Sequence, residues 1–411
     1  MAAEPVFDPD PGHLWNRVYR GIAMRSELGV DYGDDAAEPF SEPFDDPASL
    51  VKVLDEFLAT RIREPASGSV ARALLLNDLW AAFDLAVRRD DEHGLPPRLA
   101  RALRNLAMPR LSIAALPDNY AAAVKSAAFP KDFDPAHPEI AFLPPDLFNP
   151  NGDWVQVANY FGGPVASQHV AMVSGRSAFL VFIRCPGGRE PTLAYLRTLN
   201  FFPTPYQLKQ AELGTVYNPQ PAETVRTNVL RLDPQTPQFP EGTVFALVRR
   251  MIVLDDGLKP VPTEITQQIQ FRVYRKFGLL TGGHATRASF PASQAVSEFV
   301  MQRRQLLAGR TGGLRAVGPE EHGYQLQNVP MGGTRAERLR GDVVLTSCGR
   351  CHGREGIFSV NSYGGQMSMR AIENPQLLPV GDAAQQLIAT ADWKRQQFNY
   401  GVLRGLLAHA R

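Results

Sequence analysis

The spacing of hydrophobic residues changes period twice along this chain, and that double change limits the folds open to it. Residues 1–130 carry apolar positions three and four apart. Leu50, Val51, Leu54, Phe57 and Leu58 form one stripe behind Asp46-Pro47, a capping carboxylate followed by a proline suited to the first helical position. Leu75, Leu79, Ala82, Phe83 and Ala86 form a second stripe after Pro65, and Leu99, Leu103 and Leu106 a third that begins near Pro97. Such stripes are stable only when covered, so this region predicts helices packed on helices. Residues 130–150 then turn rich in proline and aspartate (Phe133-Asp134-Pro135, Leu143-Pro144-Pro145-Asp146), which predicts a domain boundary or a long surface loop.

Beyond that point the period falls to two. Ile265, Ile269, Phe271 and Val273 share one side of an alternating run, and Thr266, Gln268, Gln270, Arg272 and Tyr274 share the other, the pattern of a half-buried strand. Residues 243–253 and 179–184 are apolar on both faces and predict more central strands. Asp255-Asp256-Gly257 predicts a turn between antiparallel neighbours. From Ser293 the spacing of Val296, Phe299, Val300 and Leu307 is helical again, ending in Gly309, Gly312 and Gly313. Met331-Gly332-Gly333 is a glycine-rich passage, and helices are expected from Asp382 to the end, with Phe398, Val402, Leu403, Leu406 and Leu407 on one side. There is no internal repeat and no strand-helix alternation of the kind a parallel, doubly wound sheet needs. The expected class is therefore α+β: a helical region over 1–130, a β-rich middle with a mixed or antiparallel sheet over 131–290, a helix and glycine-rich linker over 291–333, and a helical segment over 334–411.

Composition narrows the partners. Lys and Arg number 43 against 42 Asp and Glu, so a net charge of +1 supplies no nucleic-acid footprint and no strong attraction to an anionic membrane. No stretch reaches the roughly 18 consecutive apolar residues that would span a bilayer. The opening Met1-Ala2-Ala3-Glu4-Pro5 lacks the basic and apolar regions of a signal peptide. Small molecules or other proteins are the expected partners.

The most specific chemical signal is Cys348-Gly349-Arg350-Cys351-His352. Two cysteines separated by two residues can form thioethers to the two vinyl groups of one porphyrin, and a histidine directly after the second falls beneath the iron. The expected cofactor is one covalently attached haem c on Cys348 and Cys351, with His352 as proximal ligand. Because haem is joined to cysteines outside the bacterial cytoplasmic membrane, the motif implies a periplasmic or otherwise extracytoplasmic location. Two other chemistries use the same residue types. Zinc would take Cys348, Cys351 and His352 with a fourth ligand from Cys185, His322 or a distant histidine. A thiol-disulfide site would read residues 343–345 as a strand entering a redox loop, but the helix-strand pattern it needs downstream is absent.

The stretch over 334–411 resembles a small c-type cytochrome domain: a candidate helix over 335–344 leads into the motif, and aromatic-bearing helices with Trp393, Phe398 and Tyr400 close the chain. The resemblance covers about a fifth of the protein and implies a methionine or histidine as the distal ligand. Met367 and Met369 are the candidates, though they lie closer to His352 than the family's distal methionine usually does; His409, a residue from the preceding regions, or no ligand at all are the alternatives. Arg350 and Arg354 are candidates to pair with haem propionates through charge-assisted hydrogen bonds. Tyr363 and residues 359–362 are candidates for the haem edge.

Elsewhere the signals are structural. Gly162-Gly163-Pro164 and Gly187-Gly188-Arg189 are turns without the context of a nucleotide site, and no GxSxG elbow occurs. His169 is expected in a strand as a structural histidine, and Cys185 as a small buried hydrophobe. The expected function is one-electron transfer to a redox partner protein. A peroxidase-like haem enzyme with an open distal site is the alternative, and a zinc-binding scaffold is the third class.

Overall fold

A computed structural model of the chain describes residues 5–23, 44, 46–60, 65, 68–89, 91, 93–159, 162–212, 226–275, 293–323, 342–347, 349–352, 356–361 and 377–408. The N-terminal helices are α1 (Leu14–Ala23), α2 (Pro47–Ala59), α3 (Gly68–Arg88) and α4 (Leu95–Leu106), followed by the shorter α5 (Arg110–Ala114) and α6 (Asn119–Ser126). Asp46 caps α2 by accepting the Ser49 amide at 2.9 Å, with Pro47 in the first turn, as the sequence predicts. α3 is buried on nearly all sides between Ala71 and Ala86. A helix in that position has no solvent face for its polar residues, so Asn77, Asp78 and Asp84 are buried with it and must find partners inside.

The middle of the chain supplies β1 (Val155–Val157), α7 (Ser167–Met172), β2 (Ser177–Arg184), α8 (Arg189–Asn200), β3 (Tyr206–Glu212), β4 (Arg226–Leu232), β5 (Val244–Leu254), β6 (Pro260–Tyr274), β7 (Gln294–Met301), α9 (Arg303–Leu307) and β8 (Leu314–Ala316). Six strands form one sheet in the order β1-β2-β5-β6-β7-β8, and every pairing in it is antiparallel. β3 and β4 pair as a separate antiparallel ladder. The C-terminal part adds the paired β9 (His322–Gly323) and β10 (Asp342–Val343), then α10 (Val344–Ser347), α11 (Gly349–His352), α12 (Ile357–Asn361), α13 (Ala383–Arg395) and α14 (Phe398–Ala408). The protein is thus α+β with an antiparallel sheet. No helix among the described residues is long and apolar enough to cross a membrane.

One face of the sheet carries Leu180, Phe182, Val248, Ile269, Phe271, Ala295 and Phe299 into the same core as α1 to α4 and the inward side of α14. The other face is covered too, which corrects the half-buried reading of β6: Gln270, Arg272 and Tyr274 are buried. Alternation detects that two faces differ in polarity, not that one is wet, and here the polar face bonds within itself beneath the C-terminal helices. A second correction concerns residues 293–307, expected as a helix. They form strand β7, paired to β6 and β8, and only the short helix α9. Val296, Phe299 and Val300 fit helical spacing, but Ala295, Phe299 and Met301 also alternate toward the core, and tertiary pairing decided between the two.

Three smaller differences follow. His169, expected in a strand, lies in α7. Phe398, placed on the buried side of the last helix, is exposed, while Leu403 and Leu407 of α14 are buried as expected. Of the helix expected over 335–344, residues up to 341 lie outside the described set, Asp342–Val343 are strand β10, and helix begins only at Val344.

β6 is irregular near Gln267, where its register against β5 shifts. Asn119 of α6 repairs the backbone there: its Nδ2 donates to the Thr266 carbonyl at 3.0 Å and its Oδ1 accepts the Thr266 amide at 2.7 Å. A similar amide clamp works beside β1, at an edge of the sheet. Asn200 donates to the Leu378 carbonyl and accepts its amide, both at 2.8 Å, while Ala158 and Gly381 bond across β1 to Pro379 and Gln156. The chain therefore rejoins the sheet edge before α13 crosses the second face.

Candidate functional site

The site is assembled on that second face, at the ends of β6 and β7. Tyr274 and Gln294 are cross-strand partners there; Gln294 holds the short helix α11 that lies within the cysteine motif, and Tyr274 holds α12, which follows it. Gln294 Nε2 donates to the His352 carbonyl at 3.0 Å. The Tyr274 hydroxyl and Ser359 Oγ are 2.6 Å apart, and Ser359 Oγ also reaches the Gly356 carbonyl at 2.7 Å. Gln238 Oε1 accepts the Ile357 amide at 3.1 Å, and Ile357 packs in the cluster with Phe239, Phe245 and Tyr274.

His352 Nδ1 lies 2.7 Å from the Ser359 carbonyl oxygen. A carbonyl only accepts, so Nδ1 carries the hydrogen and the lone pair of the neutral ring sits on Nε2. A backbone carbonyl on the far nitrogen is the usual means by which a ligating histidine has its tautomer and ring orientation set. Burial pulls the His352 pKa well below its ordinary value of 6.5, and the positive charge of Arg272 and then the competing protonation of His169 lower it further. The ring is thus neutral at physiological pH, the state that can donate to a metal.

His169 faces the same place from α7. Its ring centroid is 6.1 Å from that of His352, with the two planes 19° apart, and 5.3 Å from the ring of Phe179. Burial, then Arg272, then Arg249 bring its pKa down to about 4, so it too is neutral. α7 is seated by Val170 and Val173, which pack with Phe179 and Trp393. Gly175, at φ +70°, lets the chain turn from α7 into β2 directly against α13, where an added Cβ would lie 3.0 Å from the Trp393 ring.

Beneath the two histidines runs a chain of buried polar groups. Arg272 Nε and Nη2 donate to Gln270 Oε1 at 2.9 and 2.8 Å. Gln270 Nε2 and Gln268 Nε2 in turn donate to the two carboxylate oxygens of Glu298 at 2.9 and 2.6 Å. Glu298 has no exposed area. Its carboxylate is thereby linked to the buried Arg272 guanidinium through the Gln270 side-chain amide.

Of the residues singled out from the sequence, His352 is placed by these contacts. Arg350 and Cys351 belong to α11 by backbone. Cys348, Arg354, Met367, Met369 and His409 lie outside the described residues, as do Ser362 and Tyr363. Cys185 is buried in the β1, β2 and α8 cluster, accepts the Thr243 hydroxyl at 3.7 Å, and has its thiol pKa raised by burial, as befits a small hydrophobe. Ser359 was among the candidates for the haem edge, and the structure places it as the partner of the His352 ring. Sequence reasoning missed His169, Arg272, Gln294 and Tyr274 as site residues. Nothing local marks them: their relation to His352 spans much of the chain and exists only once β6, β7 and α7 are in place.

The donor set fits an iron porphyrin on geometric grounds. One imidazole has its Nε2 freed by a carbonyl on the other nitrogen, a second neutral imidazole stands near it, and a buried guanidinium neighbours both. Comparison of the chain with protein-family models, with characterised proteins and with solved structures finds no match.

Proposed function

We propose that this protein is a single-haem c-type electron carrier, with haem c attached to Cys348 and Cys351 and His352 as its proximal ligand. The observation that carries the reading is the bond between His352 Nδ1 and the Ser359 carbonyl, immediately downstream of a CxxCH sequence. The motif supplies two thiols and an imidazole at the required spacing, and the bond leaves Nε2 as the ligating atom. When bound, the haem would supply a one-electron couple between ferric and ferrous iron. Ser359, itself tied to Tyr274, holds the imidazole in one orientation, and Gln294 fixes the carbonyl of the same residue. Arg272 contributes a fixed positive charge that favours the ferrous state and can pair with a propionate.

On this reading the stretch over 334–411 is a cytochrome c-like segment whose His352 and Ser359 lean on Gln294 and Tyr274 of the sheet. Met367, Met369, Arg350 and Arg354 remain available to it from the adjoining sequence. The physiological partner is a redox protein, and the location is periplasmic or otherwise extracytoplasmic.

The test is intact mass with a haem stain of the denatured protein, after export of the full chain in cells that attach haem c. The expected mass is that of the chain plus one haem, lost in Cys348→Ala/Cys351→Ala. A wild-type chain with unmodified mass and one bound zinc would replace the reading with a structural metal site. Covalent haem that turns over peroxide would replace electron transfer with catalysis.

A further inference from the structure

We infer that His169 is the second axial ligand of the iron held by His352, making the centre bis-histidine. The inference rests on the haem reading above and goes further by choosing the distal ligand from outside the cytochrome-like segment. An imidazole nitrogen lies about 1.1 Å from its ring centre and about 2.0 Å from a metal it binds, so histidines on opposite sides of one ion have centroids about 6 Å apart. The centroids of His169 and His352 are 6.1 Å apart. Their planes differ by 19°, a relation that two axial imidazoles sharing one axis can adopt without strain.

The position of His169 is built by the fold. It sits on a helix anchored by Val170 and Val173, its ring lies against Phe179, and the turn at Gly175 locks α7 beneath Trp393 of α13. His352 is anchored independently, through Ser359 to Tyr274 of β6 and through its carbonyl to Gln294 of β7. Two imidazoles held by separate rigid elements, with Arg272 beside both, are preorganised for one shared centre. Such a centre has no open position, which favours electron transfer over peroxide chemistry. It also explains how the sheet and α7, remote in sequence from the cysteines, enter the function: they deliver the second ligand.

The experiment uses the exported, haem-loaded full chain as wild type, His169→Gly, His169→Met, and Met367→Leu/Met369→Leu. The wild type is expected to give a low-spin ferric spectrum without the weak sulfur-to-iron band and to ignore cyanide. His169→Gly should become high-spin and bind cyanide, and added imidazole should restore the low-spin spectrum, a rescue that a packing role for His169 would not produce. His169→Met should gain the sulfur-to-iron band with a raised reduction potential. The double methionine variant should keep the wild-type spectrum. The inference alone is overturned if haem is attached and His169→Gly keeps the wild-type spectrum, or if the double methionine variant turns high-spin. A wild-type chain without covalent haem overturns the underlying reading and this one together. If His169→Gly yields no folded protein, the spectrum of His169→Met decides.

Discussion

Asp84 is the residue whose replacement should do most damage away from the site. It lies on α3 with no exposed area and accepts from three donors: Arg176 Nη1 at 2.9 Å, Lys394 Nζ at 3.0 and 2.8 Å, and Asn399 Nδ2. One buried carboxylate therefore serves two buried cations, and it ties α13 and α14 to the buried helix α3. Asp84→Asn keeps the shape but removes the negative charge that Lys394 and Arg176 share, and breaking a buried pair in this way costs about 3–5 kcal/mol. Set against a typical stability of about 5–15 kcal/mol for a domain, that is a large fraction. Lys394→Met should behave differently. It removes the surplus charge together with the ammonium over the Trp80 ring, fills the space with an apolar chain of similar length, and leaves Asp84 paired with Arg176.

The same surplus sets a pH dependence. Burial is the largest cause that lowers the Lys394 pKa from 10.5 to about 8, outweighing the attraction of Asp84. Between those values the unfolded chain binds more protons than the folded one, so stability rises as pH increases through that window and the penalty is fully present below pH 8. The full difference corresponds to on the order of 3 kcal/mol. Urea denaturation at pH 7 and near pH 10 checks both effects. Wild type should gain relative to Lys394→Met at the higher pH, and Asp84→Asn should be far less stable than Lys394→Met at pH 7. Equal losses for the two variants at pH 7, with parallel pH profiles, would refute the charge-balance argument.

Three further outcomes are expected. Asn119→Ala leaves the Thr266 amide and carbonyl unpaired at the irregular part of β6, at about 1–3 kcal/mol for each buried group; the urea midpoint should fall with its slope unchanged. Gly175→Ala forces a side chain into a left-handed backbone, about 1–2 kcal/mol, and presses on Trp393, so thermal unfolding should shift down and Trp fluorescence should change. Glu298→Gln removes the carboxylate that accepts from Gln268 and Gln270, at about 1–3 kcal/mol for a buried group left unsatisfied, and, if the proposed haem is bound, its midpoint potential should rise because a negative charge of the polar network is lost.

Local rules carried much of the architecture. The cap at Asp46, the helices α2 to α4, the central strands β2 and β5, the turn at Asp255 and the helices after Asp382 are readable because each rests on contacts within a few residues or on a pattern that only one secondary structure satisfies. β7 was not readable, since its apolar residues satisfy two periods at once and the choice fell to pairing with β6 and β8. The polar side of β6 was legible as polar but not as buried. Gln268, Gln270 and Arg272 look like a solvent face until Glu298, from another strand, and the C-terminal helices close over them.

For the site the division is sharper. Two cysteines, two intervening residues and a histidine in consecutive positions have the spacing that the proposed haem attachment needs, so the choice of Cys348, Cys351 and His352 comes from the chain by itself. The orientation of that histidine, the charge beneath it and the imidazole that faces it depend on Ser359, Arg272 and His169. Ser359 lies seven residues beyond His352 and is within local reach of it, whereas Arg272 and His169 come from β6 and α7, which no spacing rule links to the motif. Only the folding of the sheet, which brings distant strands and helices to one surface, puts those two within reach of His352.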